Sequence, residues 1–265
     1  MIQAITGTST DGVAAAARIA GERGPALVFV HGVGSTAAIW DRQLEAFQDR
    51  NRCLAIELRG NGVPKPEPDP AQITRGGYAL DVLSVCDALG VADFTIVGCS
   101  LGGVVAFELW LQKPERIDAM VIAGSFARYP NARAYADSIR EAVKQAGSMP
   151  AFAQMRAAKL GLPPERLAET VDQMACKEIP SYLAATEATW TGDYSATLPM
   201  INVPVLVTCG ERDTVAPPEL SQQIAEGITG SQFELVPNAG HVANADNAPA
   251  FNTMLASFLD SLVRT

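Results

Sequence analysis

A short apolar run, Phe94-Thr95-Ile96-Val97, leads directly into Gly98-Cys99-Ser100-Leu101-Gly102-Gly103. An apolar run followed by Gly-x-Ser-x-Gly and then by residues with helical spacing is typical of a strand, a sharp turn and a helix. The glycines at 98 and 102 are needed because a Cβ at either position would collide inside so tight a turn. The pattern predicts that Ser100 is a nucleophile at the carboxyl end of a buried strand, next to a helix N-terminus.

Cys99 is the rival nucleophile in this stretch. If Cys99 occupied the centre of the turn, the small residues would have to be at 97 and 101, where the sequence has Val97 and Leu101. The spacing therefore predicts that Cys99 packs near the site and that Ser100 reacts.

Short apolar runs and helix-length segments alternate along most of the chain. Runs of four to six residues that end at Gly or Pro are typical of strands buried on both faces. The predicted strands are 26–30, 53–56, 94–97, 119–123, 203–207 and 233–236. The predicted helices, with apolar residues at three- and four-residue spacing, are 37–48, 73–89, 102–112, 219–227 and 248–263. This alternation predicts an α/β fold, a mostly parallel sheet with helices on both faces.

The alternation stops between residues 126 and 193. This segment has helical patterns and prolines but no strand-like run, and its eight basic and eight acidic residues cancel. At this length an unstructured connection inside a compact domain is improbable. We expect a helical cap at 126–193, inserted after the predicted strand 119–123 into a core formed by 1–125 and 194–265; a plain surface excursion is the alternative.

A serine hydroxyl needs a base, and the base needs an orienting acid. In a fold with this nucleophile turn the order along the chain is Ser, acid, His. Of the two histidines, His241 follows the last predicted strand and is the expected base, while His31 ends an early strand. Asp213 lies just beyond the strand at 203–207 and is the expected acid; Glu211 is its near competitor.

Acyl transfer also requires N–H donors for the developing oxyanion. The Leu101 N–H, next after the nucleophile, is one candidate. The loop His31-Gly32-Val33-Gly34 should supply the second, since its glycines permit close backbone approach, and the Val33 N–H is the candidate. His31 is then expected to shape this loop; an ordinary turn at the end of the strand is the alternative.

Together these features resemble the α/β-hydrolase family, in its single-domain capped branch. The resemblance rests on His31-Gly32, Trp40-Asp41, Leu58-Arg59-Gly60, the turn around Ser100, Gly210-Glu211-Arg212-Asp213 and Gly240-His241. It implies an eight-stranded, mostly parallel sheet, a lid after the sixth strand, and no metal or organic cofactor. The tail from Gly240 to Asn252 is similar to that of 3-oxoadipate enol-lactonases and related small esterases.

The resemblance implies a cofactor-free serine hydrolase that acts on a small ester or lactone. The family's Asp-x-Arg-Gly-His-Gly-x-Ser pattern reads here from Glu57 to Pro64 and lacks the His and the Ser, which weakens assignment to one subfamily. Hydrolysis of a carbon–carbon bond in a ring-fission dienoate ketone is one alternative, disfavoured because Val242 rather than Trp follows His241. A non-catalytic ligand-binding member of the fold is another, disfavoured by the intact Ser100, Asp213 and His241.

Three residues of the 126–193 segment are expected to contact the substrate. Arg128 and Arg133 enter the segment just after the predicted strand 119–123, and an arginine fork binds a carboxylate through two hydrogen bonds. A carboxylate on the substrate would agree with the enol-lactonase resemblance. The alternative is that both arginines are solvated and balanced by Asp137 and Glu141. Trp190 is the third expected contact.

Composition narrows the class of protein further. The chain has 265 residues, 48% hydrophobic and 18% charged, with a net charge of −9, so it has ample material for a core and would be repelled by nucleic acid or an anionic membrane. The five cysteines form no C-x-x-C pair, which argues against a disulfide framework or a zinc site. Neither a signal peptide nor a membrane span is predicted. We expect a cytoplasmic protein with a small-molecule substrate; a homo-oligomer is left open.

Overall fold

The computed structural model describes residues 1–61, 65–158 and 164–262, and its centre is an eight-stranded sheet. The strands are β1 (Gln3–Thr8), β2 (Ala14–Ala20), β3 (Ala26–Val30), β4 (Arg52–Glu57), β5 (Phe94–Cys99), β6 (Ile117–Ala123), β7 (Val205–Gly210) and β8 (Gln232–Val236). Their order across the sheet is β1-β2-β4-β3-β5-β6-β7-β8. β2 is antiparallel to β1 and β4, and the other pairs are parallel. The predicted mostly parallel sheet is confirmed.

Ten α-helices lie in the described part of the chain. They are α1 (Asp41–Phe47), α2 (Arg75–Ala88), α3 (Leu101–Gln112), α4 (Ala132–Ala146), α5 (Met149–Ala157), α6 (Pro164–Ala175), α7 (Ile179–Trp190), α8 (Pro218–Gly227), α9 (Ala243–Asp246) and α10 (Ala248–Leu262). Short 3-10 helices occur at Ala37–Trp40, Pro70–Gln72, Pro114–Arg116 and Leu198–Met200. None of the helices described is both long enough and apolar enough to cross a membrane.

Helices cover both faces of the sheet because alternate strand residues point to opposite sides. In β3, Val28 and Val30 belong to a core shared with α2, α3 and α8. Leu27 and Phe29 belong to a second core shared with α1 and α10. Both faces of the central strands are therefore buried, which is why those strands consist of continuous apolar runs.

The helices α4 to α7 follow β6 and precede β7, at the position where a helical insertion was predicted. Parallel strands place their carboxyl ends at one edge of the sheet, and the insertion starts from that edge. The division into a core of 1–125 and 194–265 and a cap of 126–193 stays a prediction, and residues 159–163 of the cap lie outside the described ones.

Candidate active site

The turn between β5 and α3 holds Ser100 in a strained conformation. Ser100 has φ 55° and ψ −114°, a combination that an L-residue adopts only when its surroundings enforce it. A Cβ on Gly98 would lie 2.2 Å from the Gly102 oxygen, and one on Gly102 would lie 2.1 Å from the Val30 oxygen. The two glycines thus permit the close backbone approach that presents the Ser100 hydroxyl at the sheet edge.

Ser100, His241 and Asp213 form a continuous chain of hydrogen bonds. His241 Nε2 lies 3.1 Å from Ser100 Oγ, and His241 Nδ1 lies 2.8 Å from Asp213 Oδ2. Asp213 Oδ1 accepts the N–H groups of Val215 at 2.8 Å and Ala216 at 2.9 Å. The Asp213 side chain is fully buried and that of His241 is 15% exposed. With Nδ1–H donating to the carboxylate, the Nε2 lone pair faces the serine hydroxyl, as a general base requires.

The loops after β7 and β8 carry the predicted acid and the predicted base, and the two loops are in contact. A Cβ on Gly210 would lie 2.1 Å from the Gly240 oxygen. Asp246 Oδ2 accepts the Gly240 N–H at 3.0 Å, which fixes the backbone immediately before His241. Positions 213 and 241 are therefore adjacent because neighbouring parallel strands end at the same edge of the sheet.

The structure places both rival residues away from these roles. Glu211 Oε2 accepts the Asn238 N–H at 3.1 Å and forms no hydrogen bond with His241 among the described contacts. The Cys99 sulfur is buried and lies 4.0 Å from the His241 backbone oxygen. Burial raises the pKa of the Cys99 thiol to about 12, so the thiolate that a cysteine nucleophile needs is scarce near neutral pH.

The loop at 31–34 lies against the nucleophile, as expected for an oxyanion site. A Cβ on Gly32 would lie 3.2 Å from the Ser100 Cβ. Leu101 is the first residue of α3, where backbone N–H groups have no acceptor within the helix. The His31 ring shapes the loop, because its Nδ1–H donates to the Gly32 oxygen at 2.8 Å and its Nε2 accepts the Leu58 N–H at 3.1 Å.

Lys177, a buried residue that follows α6, anchors the end of the loop at 31–34. The sequence analysis did not single it out. Lys177 Nζ donates to the backbone oxygens of Ser35, at 3.0 Å, and Asn61. Asn61 Oδ1 in turn accepts the Gly34 N–H at 3.3 Å. Burial lowers the pKa of Lys177. The chain offers no periodic signal for the two Lys177 contacts, because they join positions more than 100 residues apart.

A pocket of about 670 Å³, including the part open to solvent, lies over Ser100. Its apolar wall includes Ile39, Met174, Trp190, Val215 and Val242. Its polar lining includes Ser100, His241, Thr170, Gln173, Arg156 and Arg166, and Val33 also lines it. The predicted nucleophile, the base and the Val33 loop thus face one cavity.

Of the three predicted substrate contacts, the structure brings only Trp190 to the pocket. Trp190 is buried and stacks on Phe126 with ring centroids 5.1 Å apart. Arg133 instead points to Glu187, with Nη1 and Oε2 2.8 Å apart, and its side chain is 64% exposed. Arg128 is exposed, and its backbone bridges to Asp193. The sequence analysis missed Arg156 and Arg166, which line the pocket from α5 and α6.

The described residues include no group of three or more His, Cys, Asp or Glu side chains arranged to hold a metal ion.

The model of the alpha/beta hydrolase family matches residues 27–253, which include Ser100, Asp213 and His241. The chain belongs to the alpha/beta hydrolase family. It is 29% identical to 3-oxoadipate enol-lactonase 2 of Acinetobacter baylyi over 234 residues, 86% of each chain. It is also 29% identical to a putative carbamate hydrolase, RutD, of Azorhizobium caulinodans, over 89% of this chain and 91% of that one.

Among solved structures, the enol-lactonase from Burkholderia xenovorans LB400 has a TM-score of 0.86 and 25% identity, covering 97% of this chain and 100% of that one. The expected α/β-hydrolase resemblance, with enol-lactonase-like relatives, is confirmed. The chain is therefore a hydrolase, and its family includes ester and lactone hydrolases.

Proposed function

We propose that this hydrolase cleaves a small ester or lactone through an acyl-enzyme on Ser100. The observation that carries the proposal is the hydrogen-bonded chain from Asp213 through His241 to Ser100 at the base of a largely apolar pocket. Such a chain activates a hydroxyl that is otherwise a weak nucleophile. It needs neither a metal nor an organic cofactor, and the proposed partner is therefore the small-molecule substrate alone.

In the first half of the reaction, Ser100 Oγ attacks the carbonyl carbon while its proton moves to His241 Nε2. The carbon–oxygen bond to the leaving group then breaks, and the leaving alkoxide takes that proton. With a lactone, the alcohol formed remains attached to the acyl chain.

In the second half, water gives a proton to His241 Nε2 and attacks the acyl carbon. The bond to Ser100 breaks, and Ser100 Oγ recovers the proton from His241. The net reaction consumes one water and yields a carboxylic acid and an alcohol. Asp213 holds the imidazole tautomer and stabilises its positive charge in both halves.

The negative charge that develops on the carbonyl oxygen needs donors that are already in place. The Leu101 N–H, at the start of α3, and the Val33 N–H, in the loop against Ser100, are the proposed donors. Both are backbone groups, so their positions depend on the turn and on the loop contacts rather than on a side chain.

The relatives named putative carbamate hydrolases favour a second candidate reaction, the hydrolysis of a carbamate by the same residues. A carbamate also presents a carbonyl carbon to a serine nucleophile, and the bond that breaks after attack is carbon–nitrogen or carbon–oxygen. The leaving group then takes its proton from His241 as before.

The test is turnover of p-nitrophenyl esters, γ-lactones, an aryl carbamate and a vinylogous 1,5-diketone by wild type, Ser100→Ala and Ser138→Ala. Ser138 lies on α4, exposed and away from the pocket. We expect wild type and Ser138→Ala to hydrolyse at least one acyl substrate, and Ser100→Ala to lose the activity by several orders of magnitude, because such a triad acts as a unit. Cleavage of a vinylogous 1,5-diketone without any ester, lactone or carbamate turnover would contradict the proposal.

A further inference from the structure

Two arginines line the pocket, and the residues that line it include no Asp or Glu. The two differ in their partners. Arg166 pairs with Glu169, and its Nε lies 3.6 Å from Asp246 Oδ1. Arg156, from α5, lies within 4.0 Å of no carboxylate in the described part of the chain. Among the described residues, a carboxylate therefore offsets the charge of Arg166 but none offsets that of Arg156.

The neighbours of Arg156 are tyrosines: Tyr129, Tyr135 and Tyr182. Burial raises the pKa of Tyr129 to about 12, and it also raises the pKa of Tyr182. These hydroxyls are therefore neutral near pH 7, whereas an arginine keeps its proton at any ordinary pH. The tyrosines solvate the guanidinium without cancelling its charge.

Trp190, Tyr129 and Tyr135 pack on one another, with ring centroids 4.6 to 4.7 Å apart. The Tyr129 hydroxyl donates to the Val215 oxygen at 3.0 Å, two residues after Asp213. This aromatic wall positions the α5 side of the pocket relative to the reacting groups. Arg156 is half-buried beside this wall, and a partly desolvated cation that no described carboxylate offsets favours the binding of an anion there.

We propose that Arg156 binds a carboxylate carried by the substrate, so that the preferred substrates of Ser100 are esters or lactones with a second, ionised carboxyl group. The inference rests on the proposed function, which supplies the site at which the acyl group reacts. Arg156 offers a planar fork of N–H donors, which matches a carboxylate through two parallel hydrogen bonds. Because the chain carries a net charge of −9, long-range attraction of an anion is unfavourable, and the preference depends on this local contact.

The first experiment compares p-nitrophenyl half-esters of succinic, glutaric and adipic acid with the same esters capped by methyl at the free carboxyl group. For wild type we expect kcat/KM to be higher for the charged member of at least one pair. The chain length with the largest ratio measures how far the carboxylate site lies from Ser100.

Arg156→Gln should reduce that ratio roughly 10- to 100-fold, the loss expected for hydrogen bonds to a charged group, mainly through a lower kcat/KM for the charged ester. Arg156→Lys, which keeps the charge but loses the fork, should retain part of the preference. Arg133→Gln is the control, because its side chain pairs with Glu187 outside the pocket. A wild-type preference for the capped esters, or an unchanged ratio in Arg156→Gln, would overturn the inference.

A binding measurement separates this inference from the proposed function. Ser100→Ala, which cannot form an acyl-enzyme, should bind free glutarate in a titration calorimeter, and Arg156→Gln in that background should bind roughly 10- to 100-fold more weakly. Equal binding by the two proteins would refute the carboxylate site even if esters are hydrolysed. Arginine-dependent binding without ester turnover would support the carboxylate site and count against the proposed function alone.

Discussion

The ammonium group of Lys177 lies 3.0 Å from the backbone oxygen of Ser35, two residues after Val33. Lys177 precedes α7 in the helical insertion, and Ser35 ends the loop that faces the nucleophile. The side chain of Ser35 also donates to Gln173 Oε1 at 2.9 Å. The insertion therefore does more than cover the pocket, because it holds the loop that we propose as half of the oxyanion site.

Lys177→Met should lower kcat roughly 10-fold and change KM little, since it leaves the oxyanion loop less well positioned without removing a donor outright. Steady-state kinetics on a p-nitrophenyl ester measures the two parameters separately. Lys144→Met, at an exposed position on α4, is the control and should resemble wild type. A large rise in KM with kcat unchanged would show that Lys177 serves binding rather than the oxyanion loop.

Asp213→Asn should lower kcat by about four orders of magnitude while the protein remains folded, because an amide favours the wrong tautomer of His241. Glu211→Gln should be mild, since Glu211 bonds to the Asn238 backbone instead. Ester turnover of the two purified variants, with circular dichroism to check folding, decides between them. If Glu211→Gln loses more activity than Asp213→Asn, the acid has been misassigned.

Gly102→Ala should lower the free energy of unfolding by about 1–3 kcal/mol or more, the usual cost of forcing extra volume into a packed site. The added Cβ would lie 2.1 Å from the Val30 oxygen. Gly7→Ala, in the exposed strand β1, meets no atom within 4 Å and should cost little. Urea unfolding gives both free energies of unfolding. Equal midpoints for the two variants would mean that the turn at Ser100 is not tightly packed.

Alkylation by iodoacetamide at pH 8 should modify Cys176 and leave esterase activity intact. Cys176 is exposed, whereas Cys99 is buried and burial raises its pKa to about 12, so the reactive thiolate of Cys99 is scarce at that pH. Peptide mass mapping locates the modified residues, and residual turnover is measured on the same sample. Rapid inactivation that follows Cys99 modification would argue for a thiol at the centre of the chemistry.

The grouping of Ser100, Asp213 and His241 and most of the sheet were predictable because their signals are local. The turn at 98–102 requires glycines at fixed positions, and the central strands are apolar throughout since both faces are covered. β1 and β2 were missed for the opposite reason: β1 is largely exposed, and β2 consists mostly of alanine, which is not typical of strands. The resemblance to a known family, rather than any pattern of residues, implied that two further strands exist.

The substrate contacts were the least predictable part of the site. Arg133 lies near the sheet edge, but its side chain donates a hydrogen bond to Glu187, 54 residues later in the chain. Arg156 reaches the pocket only because of how α5 packs against the aromatic residues of the insertion. Spacing along the chain does not encode that packing, so the sequence analysis named Arg128 and Arg133, which do not line the pocket, and missed Arg156.

The central claim is that Ser100 forms the covalent intermediate, and locating a fluorophosphonate adduct tests it most directly. After treatment of active protein, digestion and mass analysis of the peptides should place the adduct on Ser100. Ser100→Ala should acquire none, and Asp213→Asn should react far more slowly than wild type. An adduct on Cys99 or on any other residue, or full activity after treatment with no adduct at all, would contradict the claim.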